Sequence, residues 1–207
     1  MFALFAIAFI QVAFAKDLIK ENAENPGGFH RVAKGECFPY NEGAFKYVNE
    51  HGDNAEVAIY TSKDCTGTAT STKNYTSAEL KADFSFELKD CPKWMGVVTT
   101  DSDANCPNKD KNSEKKIYYK EGCQDFGSTS VKYLIESSAL RKETYKKVKC
   151  EELDQRLQFG KCDTCTKAGE EYQFVKCNVT SNNPSNPSSS AISKMIVAVL
   201  AVLFFLF

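Results

Sequence analysis

Residues 46–50 read KYVNE, and residues 132–136, 86 positions later, read KYLIE. Around these segments lie two sets of three cysteines, with steps of 28 and 26 residues in the first set and 27 and 27 in the second. The matched cysteines are Cys37, Cys65 and Cys91 in the first half and Cys123, Cys150 and Cys177 in the second. Aromatic residues precede the cysteines at matching offsets, as at Tyr60 and Tyr145. We therefore predict a tandem duplication, with units at residues 29–100 and 115–177.

Each predicted unit has the pattern of antiparallel strands. Residues 84–89 alternate apolar and polar side chains, residues 131–136 nearly do so, and turn-forming residues separate such runs. Short helices are predicted at 76–82, where Thr76 and Glu79 have capping-box spacing, and at 151–157. The predicted fold is mainly β: two tandem, duplicated, disulfide-bonded small antiparallel β units with short helical insertions. An N-terminal lead-in at 16–28 precedes the first unit, and a polar linker at 101–114 joins the two.

The nine cysteines all lie between positions 37 and 177, a number that suits an oxidising compartment. Units of about 60 residues have thin cores, so disulfides of about 2–4 kcal/mol each would supply part of their stability. Because three cysteines cannot all pair within one set, we expect Cys106 to complete the first set and either Cys162 or Cys165 to complete the second. The ninth cysteine either forms an intermolecular disulfide or is simply buried.

The N-terminal end has the pattern of a secretory signal peptide. Residues 2–15 form an apolar run that would reach roughly 21 Å as a helix, short of a hydrocarbon core of about 30 Å. The run closes with Ala-Phe-Ala, so cleavage is predicted after Ala15, although no Lys or Arg precedes the run. The alternative is a buried N-terminal helix, but Gln11 is the only polar residue in the run.

The C-terminal end has the pattern of a glycosylphosphatidylinositol (GPI) attachment signal. Residues 178–190 read NVTSNNPSNPSSS, which predicts a solvated stalk. The removed signal would be 191–207, with a 13-residue apolar tail at 195–207 that is again too short to cross a bilayer comfortably. Ser188 is the predicted lipid acceptor. The usual spacer of about 8–12 residues would instead favour a residue nearer Ser181 to Ser185, where Pro184 and Pro187 interfere. The alternative is a single membrane span starting at Ile192, with Lys194 at the interface.

These ends predict a cell-surface location, on the outer leaflet of the plasma membrane. Two sequons that fit the secretory route mark Asn74 and Asn178 as glycosylation candidates. The 26 basic and 27 acidic residues leave a net charge of −1, so no nucleic-acid partner is expected. Only two histidines occur, and no metal or other cofactor is predicted.

No motif in the sequence identifies catalytic chemistry. Cys162 and Cys165 form a CxxC pair, but no βαβ pattern surrounds it, so structural disulfides are favoured over redox or zinc chemistry. Residues 101–105 resemble the start of a calcium loop, which then has Cys106 where glycine belongs and Asn112 where glutamate belongs. A solvated loop is therefore favoured.

The resulting hypothesis is a GPI-anchored, disulfide-bonded glycoprotein that acts as a binding, adhesion or coat module without catalysis. Its partners would be the membrane, through the lipid anchor, and an unknown extracellular protein or glycan. Two alternatives remain open: a secreted or surface hydrolase with a triad built in space around His30 or His51, and an inhibitor-like module displayed on a stalk.

Overall fold

The computed structural model describes residues 15–178, and it confirms that the protein is mainly β. The described residues form fifteen strands, one α-helix and one 3-10 helix. The strands are β1 (Asp17–Glu21), β2 (Gly28–Val32), β3 (Cys37–Tyr40), β4 (Gly43–His51), β5 (Asn54–Tyr60), β6 (Ser71–Tyr75), β7 (Glu87–Lys89), β8 (Trp94–Asp101), β9 (Lys116–Lys120), β10 (Cys123–Phe126), β11 (Thr129–Glu136), β12 (Ala139–Tyr145), β13 (Leu153–Lys161), β14 (Thr164–Ala168) and β15 (Glu171–Cys177). The helices are α1 (Ser77–Phe84) and the 3-10 turn Val148–Cys150.

Helix α1 begins at the predicted capping box. The Thr76 side chain accepts a hydrogen bond from the Glu79 backbone N–H, and the Glu79 carboxylate accepts one from the Thr76 backbone N–H at 2.9 Å. The helix runs to Phe84 and ends at Ser85, whose φ of 63° is left-handed. Its buried side chains, Leu80 and Phe84, lie one turn apart on the same face.

Two local predictions are wrong. Residues 84–89 are not one strand, because Phe84 still belongs to α1 and only Glu87–Lys89 is extended. The segment 151–157 is not helical, since β13 begins at Leu153 and pairs with β12 along its length, including Arg156 opposite Glu143. Cross-strand pairing overrides the local helix pattern there.

The strands form three antiparallel sheets. The first four-stranded sheet has the order β3-β4-β5-β6, and the second has the order β10-β11-β12-β13. In both, each strand pairs with the next one along the chain. The two sheets therefore share one topology, a four-stranded meander.

The third sheet has seven strands in the order β14-β15-β8-β9-β2-β1-β7. On one side, β1 pairs with both β2 and β7; on the other, β8 pairs with both β9 and β15. The two groups, here called half-sheets, are β7-β1-β2 and β9-β8-β15-β14. They meet where β2 pairs with β9 through Gly28 opposite Tyr119 and Phe29 opposite Tyr118.

Strand pairing groups the chain differently from the predicted boundaries. Strand β1 lies in the predicted lead-in at 16–28 but is the central strand of one half-sheet. Strand β8 ends the predicted first unit, yet it pairs with β9 and β15 of the second half. The predicted boundaries were drawn from cysteine spacing, which shows which positions of the two halves are equivalent. Cysteine spacing does not show which strands pair in a sheet.

Each four-stranded sheet packs its apolar face on one half-sheet. The first core joins half-sheet residues to rings and aliphatic side chains of the first four-stranded sheet; its buried members include Leu18, Val32, Leu88, Phe38, Phe45, Tyr47 and Val57. The second core is built in the same way from Val98, Tyr119, Val175, Val131, Tyr133 and Leu140. A third, smaller cluster consists of Ile19, Phe29, Val97 and Tyr118.

We predict that Phe45→Ala lowers the free energy of unfolding by about 3–5 kcal/mol, as for other buried aromatic residues. Phe45 is 1% exposed, and its ring packs on four others, with centroid distances of 4.9 Å to Phe84 and 5.5 Å to Phe86. Phe126, which is 56% exposed, supplies the matched control. Denaturant unfolding should show Phe126→Ala within about 0.5 kcal/mol of the wild type; equal effects of the two substitutions would contradict this core.

Candidate functional site

Four disulfides cross-link the described residues. They are Cys37–Cys65, Cys106–Cys165, Cys123–Cys150 and Cys162–Cys177. The first and third are equivalent bonds, since each joins the first residue of a meander to the fifth residue after its third strand. The prediction that Cys106 completes the first set is wrong. Its Cα lies 6.0 Å from that of Cys165, because the loop after β8 packs against β14. Cys162 does complete the second set, by bonding Cys177.

Cys91 is the free thiol of the described residues. It packs against the cluster that contains Phe29 and Tyr118. Burial raises the pKa of the Cys91 thiol to about 11, against the smaller opposing effect of the Arg31 charge. At neutral pH this thiol is protonated and is therefore a weak nucleophile.

A polar cleft lies between the first four-stranded sheet and the loop that joins β8 to β9. Two adjoining cavities of about 350 and 400 Å³ form it. They share five lining residues: Pro39 from β3, Lys63 and Asp64 from the β5–β6 loop, and Lys111 and Asn112 from the β8–β9 loop. Lysine, aspartate and asparagine side chains line its walls together with Pro39, and carbon atoms make up most of the lining surface. The cleft therefore offers hydrogen-bond donors and acceptors to a polar ligand.

The β8–β9 wall of the cleft is held by hydrogen bonds and a disulfide. The Asp101 carboxylate accepts backbone hydrogen bonds from Asn108 at 3.0 Å and from Asp103 at 3.1 Å. The bond from Asn108 is the main cause that lowers the pKa of Asp101. The Asn112 amide donates to Glu36 at 2.8 Å, which ties the loop to the chain before β3. The Cys106–Cys165 bond ties the same loop to β14.

The carboxylates of the calcium-like segment hold the loop itself. Asp101 and Asp103 both accept backbone N–H groups, the latter from Asn105 at 2.8 Å. Within residues 15–178, no group of three His, Cys, Asp or Glu side chains is arranged to hold a metal ion.

His30 lies where β2 meets β9, between the two half-sheets. It is 5% exposed, with Nδ1 3.1 Å from the Lys116 carbonyl oxygen and Nε2 3.5 Å from the Asn22 amide nitrogen. Because a carbonyl can only accept, Nδ1 carries the proton and Nε2 is left to accept. Burial lowers the pKa of His30, and the Lys20 charge lowers it further, while the Lys116 carbonyl and Glu114 oppose the shift.

His30 and His51 lie in different surroundings. His51 is exposed, with Nε2 3.4 Å from a carboxylate oxygen of Glu56. Among residues 15–178, no serine hydroxyl hydrogen-bonds to either imidazole ring. The structure does not bring His30 and His51 together either, since one lies in the seven-stranded sheet and the other at the end of β4.

The predicted modification sites differ in their surroundings. Asn74 is exposed on the edge strand β6. Asn178 is partly buried after β15, and its side-chain amide donates to the Trp94 carbonyl at 3.0 Å. Ala15 is exposed beside β1. The rest of the signal peptide, the stalk after Asn178, Ser188 and the apolar tail lie outside the described residues.

Sequence reasoning missed the cleft. Its lining comes from three segments far apart in sequence, and each one alone reads as an ordinary polar loop or turn. No local signal marks Lys63 or Lys111 as neighbours, because only the pairing within the first meander and of β8 with β9 brings the loops together.

The described part of the chain contains no helix long and apolar enough to cross a membrane.

Comparison with known proteins gives no assignment: the chain matches no family model, no curated protein and no solved structure.

We predict that His30→Gln makes the stability less sensitive to acid. The folded pKa is below the usual value of about 6.5, so the unfolded chain binds the proton first as pH falls. The free energy contributed by neutral His30 is present above about pH 6.5 and is lost as the pH falls from there toward the lower folded pKa. Denaturant unfolding at pH 7 and pH 5 measures this loss. His30→Gln should shrink the difference. An unaltered difference in His30→Gln would contradict the assignment.

Proposed function

We propose that this protein is a GPI-anchored cell-surface glycoprotein that acts as a binding, adhesion or coat module and has no catalytic activity. The observation that carries the proposal is the pair of apolar end segments, each too short to span a bilayer and each with the residue pattern of a processing signal. The four disulfides support it, because such bonds form in the secretory pathway where GPI anchors are attached.

We also propose that the described fold arose by tandem duplication. Two meanders of the same order support this, and so do their equivalent disulfides Cys37–Cys65 and Cys123–Cys150. In addition, one strand that comes before each meander, β1 or β8, is an inner strand of the half-sheet. It pairs with one strand that precedes the meander, β2 or β9, and with one that follows the meander, β7 or β15. On this basis the repeats are β1 to β7 and β8 to β15.

We place ligand contact at the polar cleft. Its shape is concave, its β8–β9 wall is held by Asp101, Asn112 and the Cys106–Cys165 bond, and its side chains carry both charges. Donors and acceptors set among carbon surface suit a glycan or a polar peptide segment. The lysines and carboxylates together disfavour a ligand that carries a strong charge of one sign.

We predict that phosphatidylinositol-specific phospholipase C releases the full-length expressed protein from eukaryotic cells. Mass spectrometry of the released protein should find Lys16 as the first residue, the glycan and inositol phosphate of the cleaved anchor on Ser188, and no trace of 195–207. Ser188→Leu should remove the anchor remnant from position 188 because the acceptor must be small, whereas Ser181→Leu should leave the remnant on Ser188.

A mature protein that ends at Phe207 would overturn the anchor and leave the single membrane span. A purified protein that retains residues 2–15 would overturn the secretory route. The same spectra give the glycan occupancy of Asn74 and Asn178.

A further inference from the structure

The backbone and side chain of Lys16 are both bonded to the first four-stranded sheet. The Lys16 backbone nitrogen donates to a carboxylate oxygen of Glu50 at 3.2 Å, and the Lys16 carbonyl accepts from the Tyr47 hydroxyl at 3.2 Å. The side-chain ammonium donates to the Asp53 carboxylate at 2.9 Å and to the Gly52 carbonyl at 3.4 Å. Lys16 is therefore fixed on β4 and the turn that follows it, immediately before β1 begins.

The surroundings of the Lys16 backbone nitrogen suit an ammonium group as well as an amide. The Glu50 side chain is 26% exposed, and it forms no ion pair with a described residue other than Lys16, whose Nζ lies 3.9 Å from its second oxygen. Ala15, the preceding residue, is exposed, so the nitrogen lies at the protein surface. A carboxylate forms a stronger hydrogen bond with an ammonium than with a neutral amide.

The matching glutamate of the second half has a different cation. Glu136 occupies in KYLIE the position that Glu50 occupies in KYVNE. The Glu136 carboxylate lies 2.8 Å from a guanidinium nitrogen of Arg141. Glu50 has no arginine partner among residues 15–178, and the cation nearest to it belongs to Lys16. The two glutamates thus have matching positions but take their positive charge from different sources.

We propose that Glu50 binds the α-ammonium group of Lys16 that signal-peptide removal creates. The inference rests on the proposed cleavage after Ala15. Hydrolysis of the Ala15–Lys16 peptide bond takes up one water, leaving a carboxylate on Ala15 of the released peptide and an amino group on Lys16. That amino group takes up a proton at neutral pH. The hydrogen bond from a neutral N–H to Glu50 becomes an ion pair with an ammonium that carries three N–H groups.

This ion pair strengthens the attachment of β1 to the first four-stranded sheet. Strand β1 is the central strand of the half-sheet β7-β1-β2, and Leu18, two residues after Lys16, is fully buried in the first core. Fixing the start of β1 therefore holds a strand on which that core depends. The mature chain is accordingly more stable than the same chain with residues still attached before Lys16.

The pH dependence of the contact follows from the charges near the new terminus. These belong to the Lys16 side chain and to the carboxylates of Asp17, Glu50, Asp53 and Asp90. An ammonium beside a carboxylate holds its proton more tightly than the free terminus of an unfolded chain, whose pKa is about 7.7–8.0. The stabilisation is therefore complete below that range and is lost as the pH rises through the higher folded pKa.

A double-mutant cycle tests the proposal on the full-length protein, expressed in eukaryotic cells and purified in detergent. The four proteins are the wild type, Glu50→Gln, a chain with Asn-Gln inserted between Ala15 and Lys16, and the chain with both changes. The insertion moves the terminus two residues away and returns the Lys16 nitrogen to an amide. All four carry Cys91→Ser, because a thiolate would exchange disulfides at high pH. Mass spectrometry identifies the first residue of each protein.

Denaturant unfolding at pH 7 and pH 9.5 measures the coupling. At pH 7, Glu50→Gln should lower the ratio of folded to unfolded protein roughly threefold when the chain begins at Lys16, and by less in the chain with the insertion. At pH 9.5 the α-amino group is neutral, so the two chains should respond alike. The matched control is Glu42→Gln, which makes the same charge change at an exposed residue that forms no ion pair among the described residues. It should have equal effects in both chains at both pH values.

The outcomes separate the contact from the cleavage. Chains that begin at Lys16 but show equal effects of Glu50→Gln with and without the insertion at pH 7 would overturn the contact and leave the cleavage intact. A first residue other than Lys16 would overturn both. If Glu50→Gln fails to fold, the wild type and the chain with the insertion still decide the matter. The wild type should be the more stable at pH 7 and lose that advantage at pH 9.5, and an advantage independent of pH would overturn the proposal.

Discussion

The structure depends on burial of one apolar face of each four-stranded sheet against one half-sheet. A meander of four short strands has a single face from which to exclude water. Among residues 15–178, the other face of the seven-stranded sheet has the smaller cluster of Ile19, Phe29, Val97 and Tyr118. Strand β2 pairs with β9, and this pairing joins the two half-sheets into one continuous sheet. His30 lies beside the β2–β9 pairing, and its imidazole hydrogen-bonds the Lys116 carbonyl of β9. The protonation state of His30 therefore affects the contact between the two half-sheets.

The disulfides add covalent links to this arrangement. Cys37–Cys65 and Cys123–Cys150 each fasten the outer strand of a meander to the segment beyond its third strand. Cys106–Cys165 and Cys162–Cys177 fasten the β8–β9 loop and the end of β13 to the seven-stranded sheet. At about 2–4 kcal/mol per bond, their sum is comparable to the net stability of a whole domain. The fold would therefore be marginal in a reducing compartment, which agrees with the proposed secretory route.

Local signals in the sequence were sufficient for some elements. Thr76 and Glu79 predicted the start of α1 because a capping box involves only residues three apart. The matched cysteines indicated equivalent positions in the two halves. The segment at 151–157 was mispredicted because its strand conformation comes from pairing with β12, and Cys106 was assigned to the wrong set because its partner lies 59 residues away. The cleft likewise depends on contacts between distant loops. The site was therefore less predictable than the strands that carry it.

Disulfide mapping of the full-length protein from eukaryotic cells, digested without reduction after thiol blocking, tests this account most directly. The four bonds depend on the strand pairing of all three sheets, so no single local segment can produce the pattern alone. The account predicts peptides linking Cys37 to Cys65, Cys106 to Cys165, Cys123 to Cys150 and Cys162 to Cys177, with Cys91 carrying the blocking group. A bond between Cys162 and Cys165, or one from Cys91 to Cys106, would contradict it.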